Sequence, residues 1–223
     1  MSATSTEVEG VLVAGLLYLA RQHDVHIPER YCPTLLRYIS LLVKWNRVYN
    51  LTAVRDPYQM VQRHLLDSLV LCRWLPEVST AAEAQSVDVA DIGSGAGLPV
   101  LPLAIVRPDL SFASIESNGK KTRFQYQALL ELDIGNVQIE NHRVQDVSLQ
   151  SAFVTSRAFT APVEFLQIAQ TLCRGQAQVA VMLAHSDTLP DPLPTGFSLQ
   201  ELVPVDIPGN SAPRHIAMCR WMR

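Results

Sequence analysis

The hydrophobic pattern of this chain changes period at Val87, and a glycine-rich turn follows directly. Upstream, Leu35, Ile39, Leu42 and Val43 fall at i, i+4, i+7 and i+8, the stripe of an amphipathic helix. Downstream, short apolar runs alternate with helical stretches. VDVADI reads as a strand, GSGAGLP as a turn and LPLAIV as a helix. SFASIE is a second strand, Gly119 to Asp133 a helix, NVQIE a third strand and SAFVTS a fourth. Pro162 to Cys173 is helical and AQVAVML is a fifth strand. Such alternation predicts an α/β fold, a mostly parallel, doubly wound sheet with helices on both faces. The tail departs from it: FSLQELVPV and RHIAMCRWM read as two strands joined by a turn, an antiparallel C-terminal hairpin. Residues 1–80 are expected to form an N-terminal helical extension and residues 81–223 the α/β domain, with the small, polar stretch Ser79 to Ser86 as linker.

Within the extension, a second helix is expected to start at Asp56. An aspartate caps well, Pro57 suits the first helical position, and Gln59 stands three residues after the cap. The apolar segment Val11 to Ala20 is too short to span a bilayer and follows Glu7 and Glu9, so it reads as part of a buried helix. Cys32, Cys72, Cys173 and Cys219 show no C-x-x-C spacing and read as reduced core thiols of a cytoplasmic protein.

The chemistry centres on Asp91-Ile92-Gly93-Ser94-Gly95-Ala96-Gly97, which closes a strand and opens a helix. Glycines there allow a sharp turn and a close approach of backbone to ligand. The spacing is G-x-G-x-G; a dinucleotide pattern would need its third glycine at Leu98. Asp91 suits a cofactor with a positively charged amino acid moiety. Glu116 ends the second strand, about 20 residues past the loop, where an acid accepts hydrogen bonds from both hydroxyls of a ribose. A tight turn without a ligand and a strand-end acid are the plain alternatives. Together the two features point to a nucleoside cofactor.

Longer segments carry a resemblance. KWNRVYNLTAVRDPYQMVQRHLLDSL (Lys44 to Leu69), DIGSGAGLP, IVRPDLSFASIESNGKKTRF (Ile105 to Phe124) and SRAF (Ser156 to Phe159) occur in order, and the chain resembles the ribosomal RNA small subunit methyltransferase G family. The resemblance implies a seven-stranded S-adenosylmethionine-dependent (class I) methyltransferase fold, with S-adenosylhomocysteine as the spent cofactor. It also implies methylation at guanine N7 in the decoding-region loop of 16S rRNA, free or in the small ribosomal subunit. By position, the cofactor contacts would be Gly93 and Leu98 in the loop, joining Asp91, Gly95 and Gly97 read above, with Glu116 on the ribose and Val144 and Gln145 beside the adenine. Arg157, after the fourth strand, would stand where cofactor and substrate meet and act in catalysis. Many members carry an acid at the position of Gln145, and Leu-Lys-Gly where this chain has Leu183-Ala184-His185.

The reaction asks little acid–base chemistry of the protein, because guanine N7 offers a lone pair and no proton. No metal and no catalytic triad are therefore expected. RNA contact is expected from Arg37, Lys44, Arg47, Arg55, Arg63 and His64 in the extension, and from Lys120, Lys121 and Arg123, with Arg143 nearby. With a formal charge of −3, RNA binding must come from such a local patch rather than from bulk charge. The rival readings are a solvated helix face, an Arg63–Asp67 pair at i, i+4 spacing, and a half-buried His64. Two other functions stay open: a nicotinamide-dependent oxidoreductase on a similar sheet, and a non-catalytic RNA-binding protein on this scaffold. No membrane partner is expected.

Overall fold

A computed structural model describes residues 5–79, 85–157, 159–209 and 214–222. Most of the expected linker, including the 80/81 boundary, and the middle of the tail connection lie outside the described residues.

Three helical segments open the chain. Helix α1 (Ser5–His23) buries Val8, Leu12, Leu16 and Leu19 on one face and leaves Leu17 exposed, so Val11 to Ala20 is buried along one side only. Helix α2 (Cys32–Tyr49) has proline in its first turn and ends at Asn50, whose left-handed φ of 51° stops it. Asn46 ties down the loop that follows. Its side chain donates to Val54 O at 3.1 Å and accepts from Thr52 N at 2.9 Å.

The next helical run begins where the sequence predicts. Asp56 is the cap, accepting from Tyr58 N at 3.3 Å, with Pro57 at the first position. The run is not one regular helix. It passes from α3 (Pro57–Met60) through a π turn (Val61–Leu66) and α4 (Asp67–Leu69) to a 3-10 turn (Val70–Trp74). The π turn puts His64, Leu65 and Leu66 in the interior together, and Asp67 and Ser68 follow them there. Ser68 Oγ donates to His64 O at 2.6 Å, occupying a carbonyl where the regular ladder is disturbed.

Seven strands form one sheet in the order β3-β2-β1-β4-β5-β7-β6. They are β1 (Ser86–Ile92), β2 (Phe112–Ile115), β3 (Val137–Glu140), β4 (Gln150–Arg157), β5 (Cys173–Leu183), β6 (Phe197–Val205) and β7 (Arg214–Trp221). Neighbours among β1 to β5 run parallel, and β7 runs antiparallel to both β5 and β6. This is the class I methyltransferase arrangement expected, hairpin included. Helices α5 (Val100–Val106) and α6 (Gly119–Leu132) lie with the extension against one sheet face, and α7 (Pro162–Ala169) covers the other. Helix α7 stops short of the expected Cys173, because β5 already begins there.

The buried residues on the extension's side form one apolar cluster. It runs from Leu12 and Leu35 through Phe124 to Val89, Phe112 and Phe153 of the sheet. Aromatic packing joins α2 to α6: the Phe124 ring lies 6.1 Å from that of Tyr38 and 5.8 Å from that of Trp45. Arg37 Nη2 adds a bond to Glu131 O. No helix among the described residues is long and apolar enough to cross a membrane.

Candidate cofactor and substrate site

The parallel strands point their carboxyl ends at one edge of the sheet, and the glycine loop sits there, after β1. Gly93 N donates to Ile115 O at 2.8 Å, and Gly97 N and Leu98 N donate to Ser94 O at 2.9 and 2.8 Å. The outward carbonyls are held from elsewhere in the fold. Tyr38 Oη donates to Ala96 O at 2.7 Å, and Gln125 Nε2 donates to Gly95 O at 2.8 Å. Ser114 Oγ donates in turn to Gln125 Oε1, fixing that amide. The loop is therefore braced by α2 and α6 before any ligand arrives.

The three glycines serve different neighbours. All have positive φ. A Cβ on Gly97 would lie 2.5 Å from Leu101 of α5, so this glycine lets the helix pack on the loop. A Cβ on Gly93 would lie 2.5 Å from Phe159. Only Gly95 has open space, with no atom nearer than 3.9 Å to a Cβ built there. Leu98 is a core residue whose N–H is already used by Ser94 O, so neither its side chain nor its N–H is free to meet a cofactor.

Glu116 joins the loop to α6. Its Oε2 accepts from Gly95 N at 2.9 Å, its Oε1 accepts from Asn118 N at 2.8 Å, and Lys121 Nζ lies 3.7 Å away. Asn141 Nδ2 donates to Glu116 O at 3.0 Å. A cleft of about 390 Å³ opens beside it, lined by Gly93, Glu116, Lys121, His142, Val144, Gln145 and Phe159 among others. Thus Gly93, Glu116, Val144 and Gln145 come together as the sequence leads one to expect.

Beneath the loop Asp91 is fully buried and has no ion-pair partner; the Ser94 hydroxyl and the Val100 N–H lie near enough to favour its ionised form but make no well-formed hydrogen bond to its carboxyl. Burial pushes its pKa up to about 8. Asp91 does not itself line the cleft but directly precedes Ile92 and Gly93, which do. A buried acid without an ion-pair partner is where a cationic group would be held, and the glycine loop, the ribose-type acid and the apolar Val144 complete a nucleoside site. These residues fit S-adenosylmethionine. Among the described residues no group of three or more His, Cys, Asp or Glu is placed to hold a metal ion.

A second polar cluster lies where β4, β7 and the π turn meet. Arg157 Nη1 donates to Arg63 O at 2.9 Å, to His64 Nδ1 at 3.2 Å and to Asp67 Oδ2 at 3.3 Å. Arg214 Nε approaches Asp67 Oδ1 at 3.2 Å. Because a guanidinium can only donate, His64 Nδ1 accepts, and Nε2–H donates to Thr52 Oγ1 at 2.9 Å. Burial, reinforced by the Arg157 charge, lowers the His64 pKa to about 4, so the ring is neutral at physiological pH.

Residues 31–193 match a family model described as rRNA small subunit methyltransferase G. The chain belongs to that family. Among similar proteins, a ribosomal RNA small subunit methyltransferase G of Nitrosomonas eutropha is 39% identical, covering 83% of this chain and 86% of that one. One from Stutzerimonas stutzeri is 38% identical over 99% of both chains. The fold also resembles TrmN from Thermus thermophilus, with a TM-score of 0.59 at 14% identity, covering 79% of this chain and 53% of the other. It resembles the O-methyltransferase TomG from Streptomyces achromogenes, solved with SAM, with a TM-score of 0.56 at 15% identity over 94% and 96% of the two chains. Neither the oxidoreductase nor the non-catalytic reading finds support among these matches.

In this member of the methyltransferase G family, several expected contacts are placed differently. His64 is buried between Thr52 and Arg157, so its ring offers no face to an RNA base. Arg63 does not pair with Asp67, since Arg157 and Arg214 hold that carboxylate. Arg157 is outside the residues lining the cleft and is anchored toward the extension. Lys44, Arg47, Arg55, Lys120 and Arg123 are exposed, whereas Lys121 turns toward Glu116 and Arg37 is spent on Glu131. His185 is exposed, as a loop residue would be. Sequence reasoning missed Tyr38, Gln125, Asn141 and Arg214. Each acts through a partner distant in sequence, and no local motif marks it.

Proposed function

We propose that this protein transfers the methyl group of S-adenosylmethionine to N7 of a guanine in the decoding-region loop of 16S rRNA, in the cytoplasm. Family membership supports the substrate. The observation that carries the cofactor is the buried Asp91, without an ion-pair partner, beneath a braced glycine loop, with Glu116 at the next strand end.

When bound, S-adenosylmethionine supplies a methyl already activated on a sulfonium. Guanine N7 presents its lone pair in the major groove, so the chain need not remove a proton, and no metal ion is required. Asp91 would hold the cationic end of the cofactor, Glu116 would receive the ribose hydroxyls on the lone pairs that Gly95 N and Asn118 N leave free, and Val144 with the backbone at Gln145 would flank the adenine. The protein's part in the chemical step is alignment and exclusion of water, which can lower a barrier by on the order of 7–11 kcal/mol. Arg157 acts by holding the end of β4 against the extension. Mass mapping of 16S rRNA from cells with and without the protein tests the assignment: an unchanged guanine methylation pattern would refute it.

Replacement of Glu116 by alanine should weaken cofactor binding by roughly 1.5–3 kcal/mol, the value of a hydrogen bond to a charged group. The same change frees Gly95 N and Asn118 N, so the loop loosens as well. Calorimetric titration checks this, and a dissociation constant equal to wild type would remove Glu116 from the site.

The extension and the start of α6 are proposed to bind RNA. Arg37 and Glu131, then Trp45 and Phe124, are neighbours across α2 and α6, so the two helices run antiparallel. The exposed Lys44 and Arg47 at one end of α2 are thereby brought toward Lys120 and Arg123 near the start of α6. Arg55, whose Nη2 donates to Asn50 Oδ1 at the end of α2, would extend this basic surface. Each phosphate contact removed should lower the salt slope of RNA binding by about 0.7–0.9. Lys44→Ala with Arg47→Ala should therefore flatten a salt series of rRNA binding and leave cofactor titration unchanged. An unaltered slope would reduce these residues to a solvated helix face.

A further inference from the structure

We propose that Phe159 is the platform on which the acceptor guanine stacks during methyl transfer, an inference that rests on the function proposed above. The lining of the cleft assigns its two sides. Ile92 and Gly93 close β1, Ile115 and Glu116 close β2, and His142, Val144 and Gln145 follow β3. These strands lie in the order β3-β2-β1, and their ends furnish the nucleoside side. On the other side of β1 stands β4, and the lining residue that follows β4 is Phe159. The acceptor therefore enters from the β4 side, because the β2 and β3 side is taken by the cofactor.

Phe159 is placed for this role by Gly93. A Cβ at position 93 would lie 2.5 Å from Phe159 Cδ2, so only glycine lets the ring rest against the end of β1. Although packed there, Phe159 stays 41% exposed. An apolar ring left open at the mouth of a polar cleft matches what a base removed from its stack requires.

The chemistry adds a reason for an aromatic ring. As the N7 lone pair forms its bond to the methyl carbon, the carbon–sulfur bond breaks and its electron pair stays on sulfur as a thioether. The positive charge passes to the guanine ring. A phenyl face attracts a cation through its quadrupole, so contact with Phe159 strengthens as the reaction proceeds, and a shape-filling aliphatic side chain does not replace it.

The test uses Phe159→Leu and Phe159→Trp in the full chain, with small-subunit rRNA that the wild type methylates. Phe159→Leu should lower kcat/KM for RNA on the order of 10- to 100-fold, with part of the loss in kcat. Its affinity for S-adenosylmethionine should match wild type, and Phe159→Trp should keep most of the activity. In the same RNA with 2-aminopurine at the acceptor position, the fluorescence gained when the base leaves its stack should be partly quenched by the ring of wild type and of Phe159→Trp, and less so in Phe159→Leu. Wild-type turnover and quenching in Phe159→Leu would overturn the proposal, as would a parallel fall in cofactor affinity, which would make the ring part of the cofactor pocket. A wild-type protein that leaves the rRNA guanine unmethylated overturns the underlying function as well, and that result is seen before any variant is made.

Discussion

Replacing Asp67 by alanine is expected to destabilise the protein by about 3–5 kcal/mol, the usual cost of removing one partner from a buried ion pair. Asp67 is 1% exposed, and its carboxylate receives Arg157 and Arg214 from two different strands. Burial holds its pKa above the ordinary carboxylate value despite both arginines. The intact cluster is therefore a modest source of net stability, but its dissection is costly. Without Asp67 the Arg157 charge would sit against His64 and the π turn with no counter-ion. Urea denaturation should show a lower midpoint, and a cycle with Arg157→Met should show a strongly non-additive pair. A midpoint equal to wild type would mean that the cluster does not anchor β4 to the extension. His64 contributes a pH dependence. Its folded pKa of about 4 lies below the reference 6.5, so the unfolded chain binds the proton more readily between these values. Its contribution to stability is present above about pH 6.5 and is lost as pH falls toward 4.

The second large effect is expected at Asp91. In the free protein this acid is mostly neutral below about pH 8, so Asp91→Asn keeps its shape and hydrogen-bonding character without a charge to bury. The variant should fold. It should bind S-adenosylmethionine more weakly by about 2–5 kcal/mol, the loss expected when one member of a desolvated charge pair is truncated. The linkage has a definite sign. A folded pKa raised above 3.8 favours the folded state at low pH, and this contribution fades as pH rises through about 8. A cationic ligand reverses the preference by stabilising the carboxylate, so binding below pH 8 should release a proton. Affinity should therefore rise with pH toward 8 and then level off, while Asp91→Asn shows no such slope. Titrations in buffers of different ionisation enthalpy measure the released proton directly. No proton release by wild type, together with wild-type affinity in Asp91→Asn, would separate Asp91 from the cofactor.

The sequence by itself determined those features whose causes are local. Alternation of period placed the strands and their order along the chain. Asp56 and Pro57 announced a helix start, and the glycine spacing after VDVADI marked the turn at the end of β1. Glu116 was legible because strand ends in a parallel sheet converge on one edge, whereas Val144 and Gln145 were reached only through the family resemblance. The π turn was not legible, because it shifts the buried positions off regular helical spacing: His64, Leu65 and Leu66 are buried in succession while Gln62 and Arg63 stay half-buried. Tertiary structure alone decided which partner each polar side chain found. At i, i+4 spacing Arg63 was a suitable mate for Asp67, yet arginines from β4 and β7 reach that carboxylate. That Gly97 also gives Leu101 room to pack was invisible before the fold was known, and Tyr38 closed on Ala96 from another part of the chain. Such pairings depend on where the packed sheet carries each side chain, and burial makes them obligatory, because a polar group without water must take the partner that the fold brings to it.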